Sequence, residues 1–136
     1  MRHVDVVHQL ASALDADDYV TAEQLLEPNA VYESGDSVTR GAAAIIDSFR
    51  RTSQWGREHL DALEFSHEID DLNAPSDIVF IDVLRSGDEE LTLRHTMHVA
   101  MSQRGRVNRL RLEVVPGEDA AVQSFFQRHG ITKRPA

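Results

Sequence analysis

The chain has 136 residues, 41% of them hydrophobic and 27% charged, and 23 Asp and Glu against 14 Lys and Arg give a net charge of −9. Those values predict one globular domain, 1–136, burying roughly two-thirds of the surface its unfolded form exposes. The negative balance argues against sequence-independent nucleic-acid binding and against docking on an anionic membrane. No apolar run approaches the roughly 20 residues of a spanning helix. The start, MRHVDVVHQL, carries Asp5 and two His where a signal peptide needs an apolar stretch, so a soluble cytoplasmic protein is expected. The chain lacks cysteine, which excludes disulfides, thiolate metal sites and Cys nucleophiles.

Val4, Val7, Ala11 and Leu14 recur at helical spacing in HVDVVHQLASALDA, predicting an amphipathic first helix. The run Asp15 to Asp18 breaks it, and Asp17 or Asp18 is placed to cap a second helix over Tyr19 to Leu26, which Pro28 and Asn29 stop. AVYES (Ala30 to Ser34) and SVTR read as a short hairpin turning at Gly35 and Asp36. A third helix follows in GAAAIIDSFRRTSQW, with Ile45, Ile46, Phe49 and Trp55 on its apolar face. From Leu60 the period changes to two. DALEFSHEID, IVFIDVLR, LTLRHTMHVAM and RVNRLRLEVV are predicted strands joined by turns, and GEDAAVQSFFQRH is a closing helix that Gly130 is placed to end. Helices and hairpin (2–58), an antiparallel meander (61–115) and a C-terminal helix (117–130) make an α+β protein.

This order, with ALDADDYVTAEQLLEPNAVYES early and RGRVNRLRLEV late, resembles the nuclear transport factor 2-like superfamily, in particular its SnoaL-like and ketosteroid-isomerase-like domains. The resemblance spans about Val4 to Val115 and rests on an acidic helix–helix turn, a "V-Y-E" strand and a "G-R-V" hairpin. It implies a cystatin-like cone, with N-terminal helices packed on a curved antiparallel sheet that wraps a pocket.

Strand alternation sorts the side chains without reference to any relative. Leu63, Phe65, His67 and Ile69; Ile78, Phe80, Asp82 and Leu84; Leu93, His95, Met97, Val99 and Met101; and Leu110, Leu112 and Val114 form the apolar faces assigned to the helix-covered side. Turns centred on Asn73–Ala74 and Gly87–Asp88 put His67, Phe80 and His95 in one row, with Asp82 a diagonal step, about 7–8 Å at the backbone, from both histidines. A carboxylate beside two imidazoles in an apolar cup has the elements of acid–base chemistry. His95 is the expected acid or base, Asp82 its orienting partner and His67 a second polar contact. Tyr32, Phe49, Trp55, Phe65, Phe80, Met97 and Leu112 are the expected ligand-binding residues. The alternative is that Asp82 and a histidine satisfy each other inside a structural core.

The better-defined chemistries of the resembled family are not preserved. Against the ketosteroid isomerases, whose Asp base and Tyr and protonated-Asp oxyanion hole are a worked case of pKa tuning, the three positions fall on Ser34, Leu10 and Met97. Against the limonene epoxide hydrolases, Asp82 matches one Asp, but the Arg falls on Phe80 and the second Asp near Leu112. The His, Asp and Tyr set of scytalone dehydratase is the one this chain can still assemble in kind. His95 and His98 lie three apart on a strand and face opposite ways, and His3 and His8 are about 140° apart on a helix, so neither pair chelates a metal. No phosphate loop, nucleophile elbow or H-E-x-x-H motif is present, and no cofactor is expected. The expected ligand is a small apolar molecule, polyketide-, steroid- or terpenoid-like, turned over by cofactor-free isomerisation, dehydration or cyclisation. A non-catalytic binding or interaction module is the rival.

Val79, Ile81 and Val83 form an apolar strip on the outer face, where a solvated sheet carries polar residues. Arg94, Arg109, Arg111, Glu64, Glu68 and Glu113 share that face as ion-pairing partners. A two-fold homodimer through this face is expected, unless the C-terminal helix folds back over the strip with Val122, Phe125 and Phe126.

Overall fold

The structure, a computed structural model, describes residues 2–131, so the expected range 1–136 extends past it at both ends. The elements in chain order are α1 (His3–Asp15), α2 (Tyr19–Leu25), β1 (Leu26–Ser34), β2 (Ser37–Arg40), α3 (Ala42–His59), β3 (Ala62–Asp70), β4 (Ala74–Ser86), β5 (Glu89–Met101), β6 (Val107–Leu112) and α4 (Glu118–Arg128). Among these residues the strands form a six-stranded sheet in the order β2-β1-β6-β5-β4-β3.

α1 buries Val6, Val7, Leu10, Ala11 and Ala13, so the core stripe begins at Val6 rather than Val4. Asp17 takes a left-handed φ of 55° in the turn to α2, and the Asp18 carboxylate accepts the Thr21 N–H at 3.2 Å as the N-cap. β1 starts at Leu26, so Pro28 and Asn29 lie inside a strand rather than in a loop. Leu26 pairs with Val107 and Val31 with Arg109. The extra residues between those pairings form an irregularity that accommodates Pro28, which has no N–H to give a ladder.

The antiparallel meander β3–β6 forms as expected, but β1 runs parallel to β6, which makes the sheet mixed rather than wholly antiparallel. The intervening α3 and meander supply the long crossover that a parallel pair requires. His67 pairs with Phe80 and Phe80 with His95, the row read from the turns. β6 ends at Leu112 instead of reaching Val115. Val114, expected on the inner face, is 68% exposed, because β1 has already turned away at Gly35. Gly117, with φ 82°, redirects the chain into α4.

One core lies under α1–α3, where Leu10, Ile45, Ile78, Val107 and Leu110 are fully buried. A second joins α4 to the sheet through Phe125, Phe126, Leu60 and Leu84, with Trp55, Leu63 and Leu93 against them. Leu63, Leu84 and Leu93 are inner-face residues, so α4 packs on the helical side of the sheet. It does not cover Val79, Ile81 and Val83, which settles that alternative against the folded-back helix. Arg128 and His129 bind Glu89 and clamp the end of α4 to the β4–β5 turn. No described helix is long and apolar enough to cross a membrane.

Candidate functional site

Between α1–α3 and the concave sheet lies a cavity of about 260 Å³. Its apolar wall is Leu14, Tyr32, Phe49, Phe65, Phe80, Met97 and Leu112; Asp15, Asp17, Tyr19, Ser48, Thr52, Ser53, Asp82 and His95 supply polar groups. Tyr32 and Phe49 meet edge to face at 5.0 Å. Burial pushes the Tyr32 phenol above its ordinary pKa, so it remains a hydroxyl donor at neutral pH. Thr52, Phe65, Asp82 and His95 also line a second cavity of about 390 Å³ beneath α4, whose remaining wall includes Trp55, Leu63, Leu84, Leu93, Val122 and Phe126. Ligand sites generally span about 300–1,000 Å³, a range that the second cavity, at about 390 Å³, falls within.

The titratable groups sit where the two cavities meet. Asp82 is raised to about 6, foremost by burial, with attraction to His95 opposing and the charges of Asp15 and Glu118 adding to the rise. His95 Nδ1 stands 3.8 Å from Asp82 Oδ2, beyond hydrogen-bond reach. Its Nε2 pairs instead with the carboxylate of Glu118 at the start of α4. Glu118 is thus the closer carboxylate to His95, and Asp82 lines both cavities. His67 Nδ1 pairs with Asp15 Oδ2 at 2.5 Å. Asp15 Oδ1 is buried with no hydrogen-bond partner among the described residues.

Asp17 gathers the third cluster. It accepts from the Tyr19 hydroxyl at 2.8 Å, the Ser53 hydroxyl at 3.0 Å and Arg57 Nε at 2.9 Å. Arg57 also donates to the Leu63 carbonyl at 3.0 Å and lies 5.2 Å over the Phe65 ring. These bonds fix the left-handed turn and hold α3 to the mouth of the cavity, linking backbone strain to a polar rim.

Of the expected ligand-binding residues, Tyr32, Phe49, Phe65, Phe80, Met97 and Leu112 line the first cavity. Trp55 belongs to the second, stacked on His59 at 4.6 Å and edge-on to Phe126 at 5.2 Å. Of the expected acid–base set, Asp82 and His95 come together at both cavities. His67 lines neither and is paired with Asp15, which lines the first. Asp15, Asp17 and Glu118 were not expected in the site. Asp15 continues the buried stripe of Val7 and Ala11 by one more helical turn, and Glu118 stands four and eight residues before Val122 and Phe126. That periodicity was the available signal. His98 faces the outer side, between Asp77 and Glu113 at 2.7 Å each. Among the described residues no group of three or more His, Asp or Glu is arranged to hold a metal.

Helices closing a curved mixed sheet over a cavity lined by Asp82 and His95 define an α+β cone. No protein-family model matches the sequence, and no curated protein matches it either. The fold does have relatives. A nuclear transport factor 2-like protein of unknown function from Cytophaga hutchinsonii superposes with a TM-score of 0.61 at 12% identity, over 88% of this chain and 96% of that one. An LEH-like epoxide hydrolase of M. tuberculosis gives 0.63 at 19% identity, over 95% and 92%. A steroid delta-isomerase from Pseudomonas aeruginosa gives 0.58 at 15% identity, over 94% and 88%. The fold is that of the nuclear transport factor 2-like superfamily, as the sequence marks implied. Identities this low establish the architecture and leave the chemistry to the site itself.

Proposed function

We propose that the chain binds a small, largely apolar molecule in this cavity and moves a proton on it without a cofactor. The observation that carries the reading is the placement of Asp82 and His95 together against an aromatic and aliphatic wall. Glu118 pairs with His95 Nε2, which leaves Nδ1 facing Asp82 and the cavity. A ligand oxygen or acidic C–H lodged between them gives up or receives its proton there, and Asp82, poised near 6, is matched to such exchange close to neutral pH. Polyketide-, steroid- and terpenoid-like molecules suit the wall, and isomerisation, dehydration and cyclisation suit the two groups. The fold's steroid-isomerase and epoxide-hydrolase relatives support a ligand-handling role.

A thermal-shift screen of such compounds, followed by turnover assays of the stabilising ones, tests the proposal. It predicts a compound that is converted by the wild type and not by His95→Ala. Conversion at an equal rate by His95→Ala refutes the role of that residue, and a screen without any stabilising compound refutes the binding. The close Glu118 pairing of His95 favours a second reading, a non-catalytic binder in which the cluster only holds α4 in place. Stabilisation by a compound that is never converted selects it.

We further propose a homodimer through the outer sheet face. Val79, Ile81 and Val83 are left without a covering helix, and the Arg94–Glu68 and Arg85–Glu64 ion pairs border them. Sedimentation at micromolar concentration reads the outcome. A dimer dissociated by Ile81→Arg supports the face, and a clean monomer of the wild type removes it.

A further inference from the structure

The cavity under α1–α3 and the cavity under α4 adjoin, since Thr52, Phe65, Asp82 and His95 belong to the walls of both. The two titratable groups therefore stand at a waist with a lobe on either side. One lobe is walled by Tyr32, Met97 and Leu112, and the other by Leu84, Leu93 and Val122. Most of the remaining wall of each is apolar, with Asp15 and Asp17 also lining the first and Asp119 the second. From this juxtaposition we infer that the ligand is an elongated apolar molecule whose polar, reacting group lies in its middle, with one apolar arm in each lobe.

The inference rests on the small-molecule reading above and narrows it. A molecule with its polar group at one end fills one lobe only, and must leave the other empty or strand that group away from His95 and Asp82. Burying a second arm of about four carbons strengthens binding with every methylene removed from water, so the position of the polar group along the chain governs affinity even at constant composition. A polar group placed off the waist also loses its hydrogen bond and is desolvated without compensation.

Isomeric ketones provide the probe, because nonan-5-one and nonan-2-one have the same atoms and differ only in where the carbonyl sits. Binding to the full chain is measured by ligand-observed NMR with competition between the two. The 5-isomer is expected to bind at least tenfold more tightly. Val122→Trp, which fills the lobe under α4, is expected to abolish that preference while changing nonan-2-one binding less than threefold. Equal or better binding of nonan-2-one by the wild type overturns the two-lobed ligand and leaves small-molecule binding standing. Binding of neither isomer overturns both. Because the isomers are first compared on the wild type, poor folding of Val122→Trp does not protect the inference.

Discussion

Replacing Asp82 by Asn should make the folded chain more stable at neutral pH while removing function. In the folded state Asp82 keeps its proton up to about pH 6, whereas the ordinary value, which applies to the unfolded chain, is 3.8. Between those values the folded state binds more protons than the unfolded one, so stability falls as pH rises, and above the folded value the whole penalty is present. A difference of about two units corresponds to about 3 kcal/mol. The physical source is a carboxylate only 25% exposed that must ionise near Asp15 and Glu118 with one imidazole to offset them. Asn has the same shape and no charge to desolvate. The variant should therefore gain about 2–3 kcal/mol at about pH 7.5 and almost nothing near pH 4. Paired urea melts of both proteins across that range measure the gap directly, and each kcal/mol moves the thermal midpoint by roughly 3–5 °C in a chain of this size. A gap that does not change with pH, or a variant less stable at neutral pH, would show that Asp82 ionises as an ordinary surface carboxylate and would refute the reasoning.

Three further outcomes follow from other parts of the structure. Phe125 is fully buried beneath α4, so Phe125→Ala should cost about 3–5 kcal/mol, and a loss below about 1 kcal/mol in urea melts would mean that α4 is not docked as described. His98 should titrate above 6.5, because the hydrogen bonds it donates to Glu113 and then Asp77 favour its charged form. Its stabilisation is complete below 6.5 and disappears as pH rises through the folded value; an NMR midpoint at or below 6.5, or one unmoved by Glu113→Gln, contradicts the bridge. Glu118→Ala should release His95 Nε2 and cost about 1.5–3 kcal/mol, as for a hydrogen bond to a charged group. The nitrogen shifts of the His95 ring report the changed tautomer balance, and shifts identical to wild type would show that Glu118 does not orient it.

The inner face of the meander was legible because strand side chains alternate strictly and two short turns fixed the register; one slipped residue would have sent His95 outward. The same logic placed Phe65, Phe80, Asp82 and Met97 correctly on that face. It failed at Val114, where alternation continued in the sequence after the neighbouring strand had ended, and at β1, whose parallel partner lies about 80 residues away and leaves no local pattern. The acid–base cluster was legible by halves. Asp82 and His95 share neighbouring strands, so their proximity followed from pairing. Asp15 and Glu118 reach the site from separate helices, and only the tertiary packing of α1 and α4 brings them there. That is why Glu118, rather than Asp82, proves to be the close partner of His95, and why His67 is turned to Asp15 instead of the cavity.

The central claim is that an apolar molecule occupies the cavity with its polar group against Asp82 and His95. A crystal structure of the chain with the most strongly stabilising compound from the thermal-shift screen tests it most directly. The account predicts density between Tyr32, Phe49 and Met97, with a polar atom of the compound within hydrogen-bond distance of His95 Nδ1 or the Asp82 carboxylate. Density confined to the outer sheet face, or a compound in the cavity whose polar atoms avoid both residues, would contradict it.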